Sequence, residues 1–190
     1  MASYSRPSEV IARVVAALTK ANVSYMLTGS LASSLHGTPR STQDIDVVIA
    51  PDRPGLERLM ARFPEADFCV SRDAAMQAFR QTSLFNVIEL ASGWKIDFIL
   101  RKARDFSRVE FERRMAADAL GISIYVATPE DVILAKLEWA KRSESERQIE
   151  DAGGVLRVQG DRLERGYLAR WVGELGLEAQ WDAAVRRLPP

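Results

Sequence analysis

The chain carries one cysteine, Cys69, and one histidine, His36. A lone cysteine excludes an internal disulfide and cannot anchor a thiolate zinc site, and with a single imidazole beside it transition-metal chemistry has no ligand set. Net charge is missing too. The 26 lysine and arginine residues balance 26 aspartate and glutamate residues, so no global positive field steers the protein onto nucleic acid and any RNA contact has to be local. No long apolar run is present: Arg13 and Lys20 interrupt the N-terminal candidate, so neither a signal peptide nor a membrane span is expected, and a cytoplasmic protein is. Neither Gly-x-x-x-x-Gly-Lys-Ser/Thr nor Gly-x-Gly-x-x-Gly occurs, which disfavours P-loop and dinucleotide-binding chemistry. A Ser-His-Asp hydrolase would need His36 as its base. That residue precedes Gly37 at a predicted helix C-terminus, where an imidazole complements the helix dipole.

What is present describes an ordinary globular chain, 190 residues with 47% apolar and 27% charged, enough for one packed core and a helical appendage. Val10, Ile11, Val14, Val15 and Leu18 recur at helical spacing over residues 7–21. A second helix is predicted over 51–63, with Leu56, Leu59, Met60 and Phe63 on one side and Pro64 as its stop. A short strand over 67–70 and a short helix over 74–79 follow. Residues 84–90 and 94–100 flank Ala91-Ser92-Gly93 and read as a hairpin. After the strand 122–126, Thr128-Pro129-Glu130-Asp131 opens a helix with an N-cap, a proline in the first turn and an acid three residues after the cap. Two more amphipathic helices are expected beyond Asp161. The fold class is α/β (α+β): a small mixed sheet flanked by helices over residues 1–127, with a C-terminal helical subdomain over 128–190.

Residues 26–50 demand a chemical explanation. An apolar run ending at Leu27 meets a Gly29-Ser30 turn, a short helical segment closes at Gly37, and a polar loop leads into Asp44-Ile45-Asp46-Val47-Val48-Ile49. Residues two apart on a strand share a face, so Asp44 and Asp46 crowd one patch while Ile45 points to the core. Two adjacent carboxylates repel unless a cation lies between them, and a hard divalent ion such as Mg²⁺ answers that need. Glycine lets a backbone approach a ligand, and a helix starting at Ser30 aims its N–H groups at an anion. Each feature alone also fits a solvated strand start and a common turn.

Gly29-Ser30 followed by Arg40-Ser41-Thr42-Gln43-Asp44-Ile45-Asp46 resembles the signature of the DNA polymerase beta-like nucleotidyltransferase superfamily, most like small bacterial AbiEii-like proteins and minimal antibiotic nucleotidyltransferases. The resemblance implies NMP transfer from an NTP such as ATP. Asp44, Asp46 and Asp97 would be the catalytic and metal-binding acids for Mg²⁺ or Mn²⁺, and Gly29, Ser30, Arg40, Lys136 and Asp151 would serve the nucleotide. Read on its own, Asp97 is an isolated acid in an apolar strand that would pair with Lys95 or an arginine. Lys136 borders an apolar helical stripe, where lysines usually bury the stem and expose the charge. Asp151 would form a surface ion pair with Arg147, whereas the resemblance turns it towards Lys136 or proton removal. Six basic and three acidic residues over 101–114 read as a solvated helix face, or as a local track for an RNA acceptor.

The acceptor stays open between RNA, as for a toxin paired with an antitoxin protein, and a small hydroxyl compound such as an aminoglycoside or lincosamide. A non-catalytic nucleotide-binding relative is the third reading.

Overall fold

The computed structural model describes residues 7–119 and 121–188. Its elements follow from the local signals above. Helix α1 (Pro7–Ala21) turns Val10, Val14 and Leu18 inward and leads to β1 (Tyr25–Thr28), α2 (Gly29–His36) and β2 (Asp44–Ile49). Helix α3 (Arg53–Met60) starts at Asp52, whose carboxylate accepts from the Gly55 N–H at 2.7 Å, and α4 (Arg72–Gln81) starts at Ser71, whose hydroxyl accepts from Ala74 at 3.1 Å; β3 (Phe68–Val70) lies between them. The hairpin forms as β4 (Leu84–Glu89) and β5 (Lys95–Leu100), antiparallel, with Gly93 at φ 73°. Then come α5 (Asp105–Glu112), β6 (Met115–Ala119) and β7 (Ile122–Val126), followed by α6 (Pro129–Ser143), α7 (Glu146–Gln159), α8 (Arg165–Leu175) and α9 (Glu178–Val185).

The fold is mixed α/β, with a seven-stranded sheet in the order β3-β4-β5-β2-β1-β7-β6. The pairs β2–β5 and β1–β7 are parallel, and β3–β4, β4–β5 and β6–β7 antiparallel. Among the described residues no helix is long and apolar enough to cross a membrane.

The chain divides into two compact bodies, one made of residues up to Leu27 with Thr42–Val126, the other of Thr28–Ser41 with residues from Ala127 onward. In the first body, alternation on β2, β4 and β5 sends Ile45, Val47, Ile49, Phe85, Val87, Ile96, Phe98 and Leu100 into the core. Phe98 is its centre, with the rings of Phe63 and Phe85 at 5.7 and 5.3 Å. The fully buried carboxylate of Glu89 on this face is held by Arg13 of α1 at 2.5 Å and by the Ser92 hydroxyl.

In the second body α6 and α7 pack as a hairpin, with α2 on both, α8 on α6 and α9 on α7. Gly37 lets the end of α2 come onto α7: a Cβ there would lie 2.8 Å from the Val155 nitrogen and 3.0 Å from the Gly154 carbonyl carbon. Buried polar groups at the start of α6 are matched. Asp131, fully buried, accepts from the Thr128 hydroxyl at 2.7 Å and the Tyr167 hydroxyl at 2.5 Å, while Glu130 accepts from the Glu164 N–H at 3.0 Å.

Candidate active site

The expected site residues fall into two clusters, one in each body. The first is built by strand register. Parallel pairing of β2 with β5 sets Asp44 beside Lys95 and Asp46 beside Asp97. Residues paired across a sheet share a face, as do residues two apart, so the three carboxylates and the Lys95 ammonium emerge together on the side opposite Ile45, Val47, Ile96 and Phe98.

Lys95 Nζ lies 2.9 Å from Asp97 Oδ2 and 3.5 Å from Asp44 Oδ1. The hydrogen bond to Asp97, more than the charge of either acid, raises the Lys95 pKa above its usual value, against a smaller opposing effect of burial. The ion pair foreseen between Asp97 and Lys95 is therefore present. It does not account for all of Asp97: the side chain is only 15% exposed, and its Oδ1 is buried with no hydrogen-bond partner. An acceptor shut off from water and left unmatched is costly and rare.

Mg²⁺ is commonly held by one or two carboxylates plus substrate phosphates. The unmatched Asp97 oxygen and the shared face of Asp44, Asp46 and Asp97 fit that mode. They do not make a closed cage: among the described residues no group of three His, Cys, Asp or Glu side chains could hold a metal ion alone. Lys95 stands among the acids instead. Alternation along β5 places it beside Asp97, and the register of β5 on β2 places it beside Asp44.

The second cluster gathers around Asp151 of α7. Lys136 of α6 donates to Asp151 Oδ2 at 2.7 Å, and Arg40, from the loop after α2, reaches both oxygens of the same carboxylate at 3.1 and 3.3 Å. Arg40 also donates to the Ser30 hydroxyl. Gly29 takes φ 64°, the left-handed region a turn into α2 requires. Thr28 at the helix start makes no side-chain cap, so the first N–H groups of α2 have no partner from that hydroxyl. Two cations share one anion, leaving a formal charge of +1 beside the start of a helix, which suits an anionic ligand.

Asp151 holds Lys136, the pairing that the resemblance implies, and the plainer alternatives for both residues give way. Lys136 does not snorkel, since its side chain is 5% exposed and its ammonium is committed to a carboxylate that is itself 9% exposed. Nor does Asp151 pair along its own helix with Arg147; its partners lie 15 and 111 residues away. His36 ends α2 as foreseen, with its Nε2–H donating to the Ala127 carbonyl at 2.8 Å. Burial lowers its pKa below the ordinary 6.5, outweighing the upward pull of that bond and of Glu130.

The segment 101–114 is a helix only over Asp105–Glu112. Several of its arginines lie on rings: Arg101 and Arg114 over Phe111 at 5.4 and 4.4 Å, and Arg104 over Phe106 at 5.2 Å. Those guanidinium faces are engaged within the protein.

Comparison with known proteins bears on the fold and the family. No curated protein matches the chain. The fold is similar to that of ANT(2")-Ia in complex with adenylyl-2"-tobramycin (TM-score 0.58, 16% identity, 87% of this chain and 97% of that one). It is similar as well to the solution structure of the antibiotic-resistance factor ANT(2'')-Ia (TM-score 0.56, 14% identity, 91% and 95%), and to JHP933 from Helicobacter pylori (TM-score 0.51, 17% identity, 97% and 82%). At such identities the likeness concerns the fold alone. The sequence itself matches a family model over residues 9–170, a span that holds both clusters, and the chain therefore belongs to the family described as nucleotidyltransferases of unknown function, DUF6036.

Proposed function

We propose that the protein transfers an NMP group from an NTP to a hydroxyl of a small acceptor, using a divalent cation at Asp44, Asp46 and Asp97. The observation that carries this reading is the pairing of Asp46 with Asp97 on adjacent parallel strands, with Asp97 Oδ1 buried and unmatched. Mg²⁺ or Mn²⁺, when bound to these acids, supplies charge neutralisation for an in-line displacement at the alpha-phosphate. Asp97, less exposed than Asp44, either holds that cation or takes the proton from the acceptor hydroxyl. Gly29 and Ser30, at the start of α2, bind the triphosphate through backbone N–H groups. Lys136 and Arg40 offset the charge that develops on pyrophosphate. Asp151 serves the nucleotide indirectly, by holding both cations.

Two features favour a small acceptor over RNA. The chain has no net positive charge, and three of the arginines around α5, Arg101, Arg104 and Arg114, lie on aromatic rings. The fold's likeness to ANT(2")-Ia bound to adenylyl-2"-tobramycin makes aminoglycosides the first acceptors to offer.

The experiment compares wild type with Asp46→Asn, given each alpha-³²P-NTP with Mg²⁺ and, in parallel, an aminoglycoside panel and total tRNA. Wild type should place label in the small-molecule fraction. The amide should cut the rate about a hundredfold or more while circular dichroism is unchanged. Label in RNA would select the AbiEii-like, toxin-type reading with an antitoxin partner instead. No label from wild type in either pool would remove support for catalysis.

A further inference from the structure

The Lys95 ammonium lies among the oxygens that a cation at the acids would need, 2.9 Å from Asp97 Oδ2 and 3.5 Å from Asp44 Oδ1. Both cations cannot share those oxygens without strong mutual repulsion at this range. Asp44, Asp97 and the one ammonium carry a formal charge of −1 together, against −2 without the lysine. Lys95 therefore holds the acids together when nothing is bound, and lowers their pull on a divalent ion.

We infer that Lys95 is a resident counter-ion that must release Asp97 and Asp44 before a divalent cation enters, which ties metal binding to the arrival of the nucleotide's phosphates. The inference rests on the reading that Asp44, Asp46 and Asp97 hold the metal. The triphosphate adds negative charge that favours the divalent ion and gives the displaced ammonium a new partner. Lys95 is on this account a positioning residue and takes no part in bond making. With its side chain 39% exposed, it has room to move aside.

Mn²⁺ binding followed by electron paramagnetic resonance tests this on the full chain, with and without a non-hydrolysable NTP analogue. Without nucleotide, Lys95→Met should bind Mn²⁺ at least about tenfold more tightly than wild type, and Lys95→Arg should behave like wild type. With the analogue present, the gap between wild type and Lys95→Met should shrink to under about threefold. Lys95→Gln, which keeps a polar head, guards against a packing defect and should follow Lys95→Met. Adding Asp97→Asn to Lys95→Met should abolish the tight site. Mn²⁺ binding that is unchanged or weaker in both Lys95→Met and Lys95→Gln would overturn the counter-ion role while leaving the metal reading intact. Absence of Mn²⁺ binding in every variant, with or without nucleotide, would overturn both.

Discussion

At the scale of single residues, charge placement decides more than charge number. Lys136 and Asp151 are both nearly closed to water, 2.7 Å apart, so removing one partner leaves the other in a poor environment. Lys136→Ala should lower unfolding free energy by about 2 kcal/mol or more, despite Arg40 remaining on Asp151, and should weaken NTP binding as well. Urea melts and nucleotide titration on one preparation measure both; full stability would mean the pair contributes nothing. His36 gives a second residue-scale expectation. Its pKa is held below 6.5 by burial, so as the pH falls the unfolded chain takes up this proton before the folded one. The stabilising contribution is thus complete above about pH 6.5 and is lost as the pH drops through the folded-state value. Thermal melts at pH 7.5 and 5.5 should show a smaller acid loss for His36→Gln, whose amide can still donate to the Ala127 carbonyl. An equal loss in both proteins would assign the acid sensitivity to other groups.

At the scale of elements, the local signals that succeeded were those with a local cause. Thr128 caps α6 through its hydroxyl, which accepts from Asp131 N–H at 3.3 Å, and the β4–β5 hairpin closes around its small-residue turn. Strand β6 escaped notice because Met115-Ala116-Ala117-Asp118-Ala119 has neither β-branched nor aromatic residues; it is a strand because β7 pairs with it along its whole length. Helices α3 and α4 were visible, but their ends moved to the caps at Asp52 and Ser71. The shared face of Asp44 and Asp46 was legible from alternation, Asp97 joined them only through the family resemblance, and Arg40 and Asp151 are 111 residues apart with no periodicity to link them. What joins them is the seat of α2 on α7. Gly37→Ala would push a methyl group against backbone atoms at 2.8 and 3.0 Å, which cannot yield as a side chain can. It should cost about 1–3 kcal/mol and loosen Arg40 from its carboxylate, read as lower stability together with poorer NTP binding. Wild-type behaviour would show that α2 can shift without consequence.

At the scale of the whole molecule, the chain passes between its two bodies at Leu27–Thr28, Ser41–Thr42 and Val126–Ala127. The second body is thereby assembled from two segments with residues 42–126 between them, and Thr28–Ser41 depends on helices made much later in the chain. A fragment ending at Val126 should therefore lose hydrogen-exchange protection across residues 29–37, including the Gly37 N–H that is bonded to the Ser33 carbonyl at 2.8 Å. Retained protection would mean that α2 is stable without α6 and α7. The β2–β5 pair has a further consequence, for assembly rather than chemistry. Because its two faces differ over Asp44–Val47 and Lys95–Phe98, sliding β5 by one position against β2 would drive Lys95 and Asp97 into the space of Ile96 and Phe98 and turn that phenylalanine to water. No such decoy survives, since the desolvation of two ions stands against it. The residues that make this strand pair reactive therefore also act as its registration marks, and substitutions that silence the acids with apolar side chains should blur the distinction between the right alignment and the wrong one.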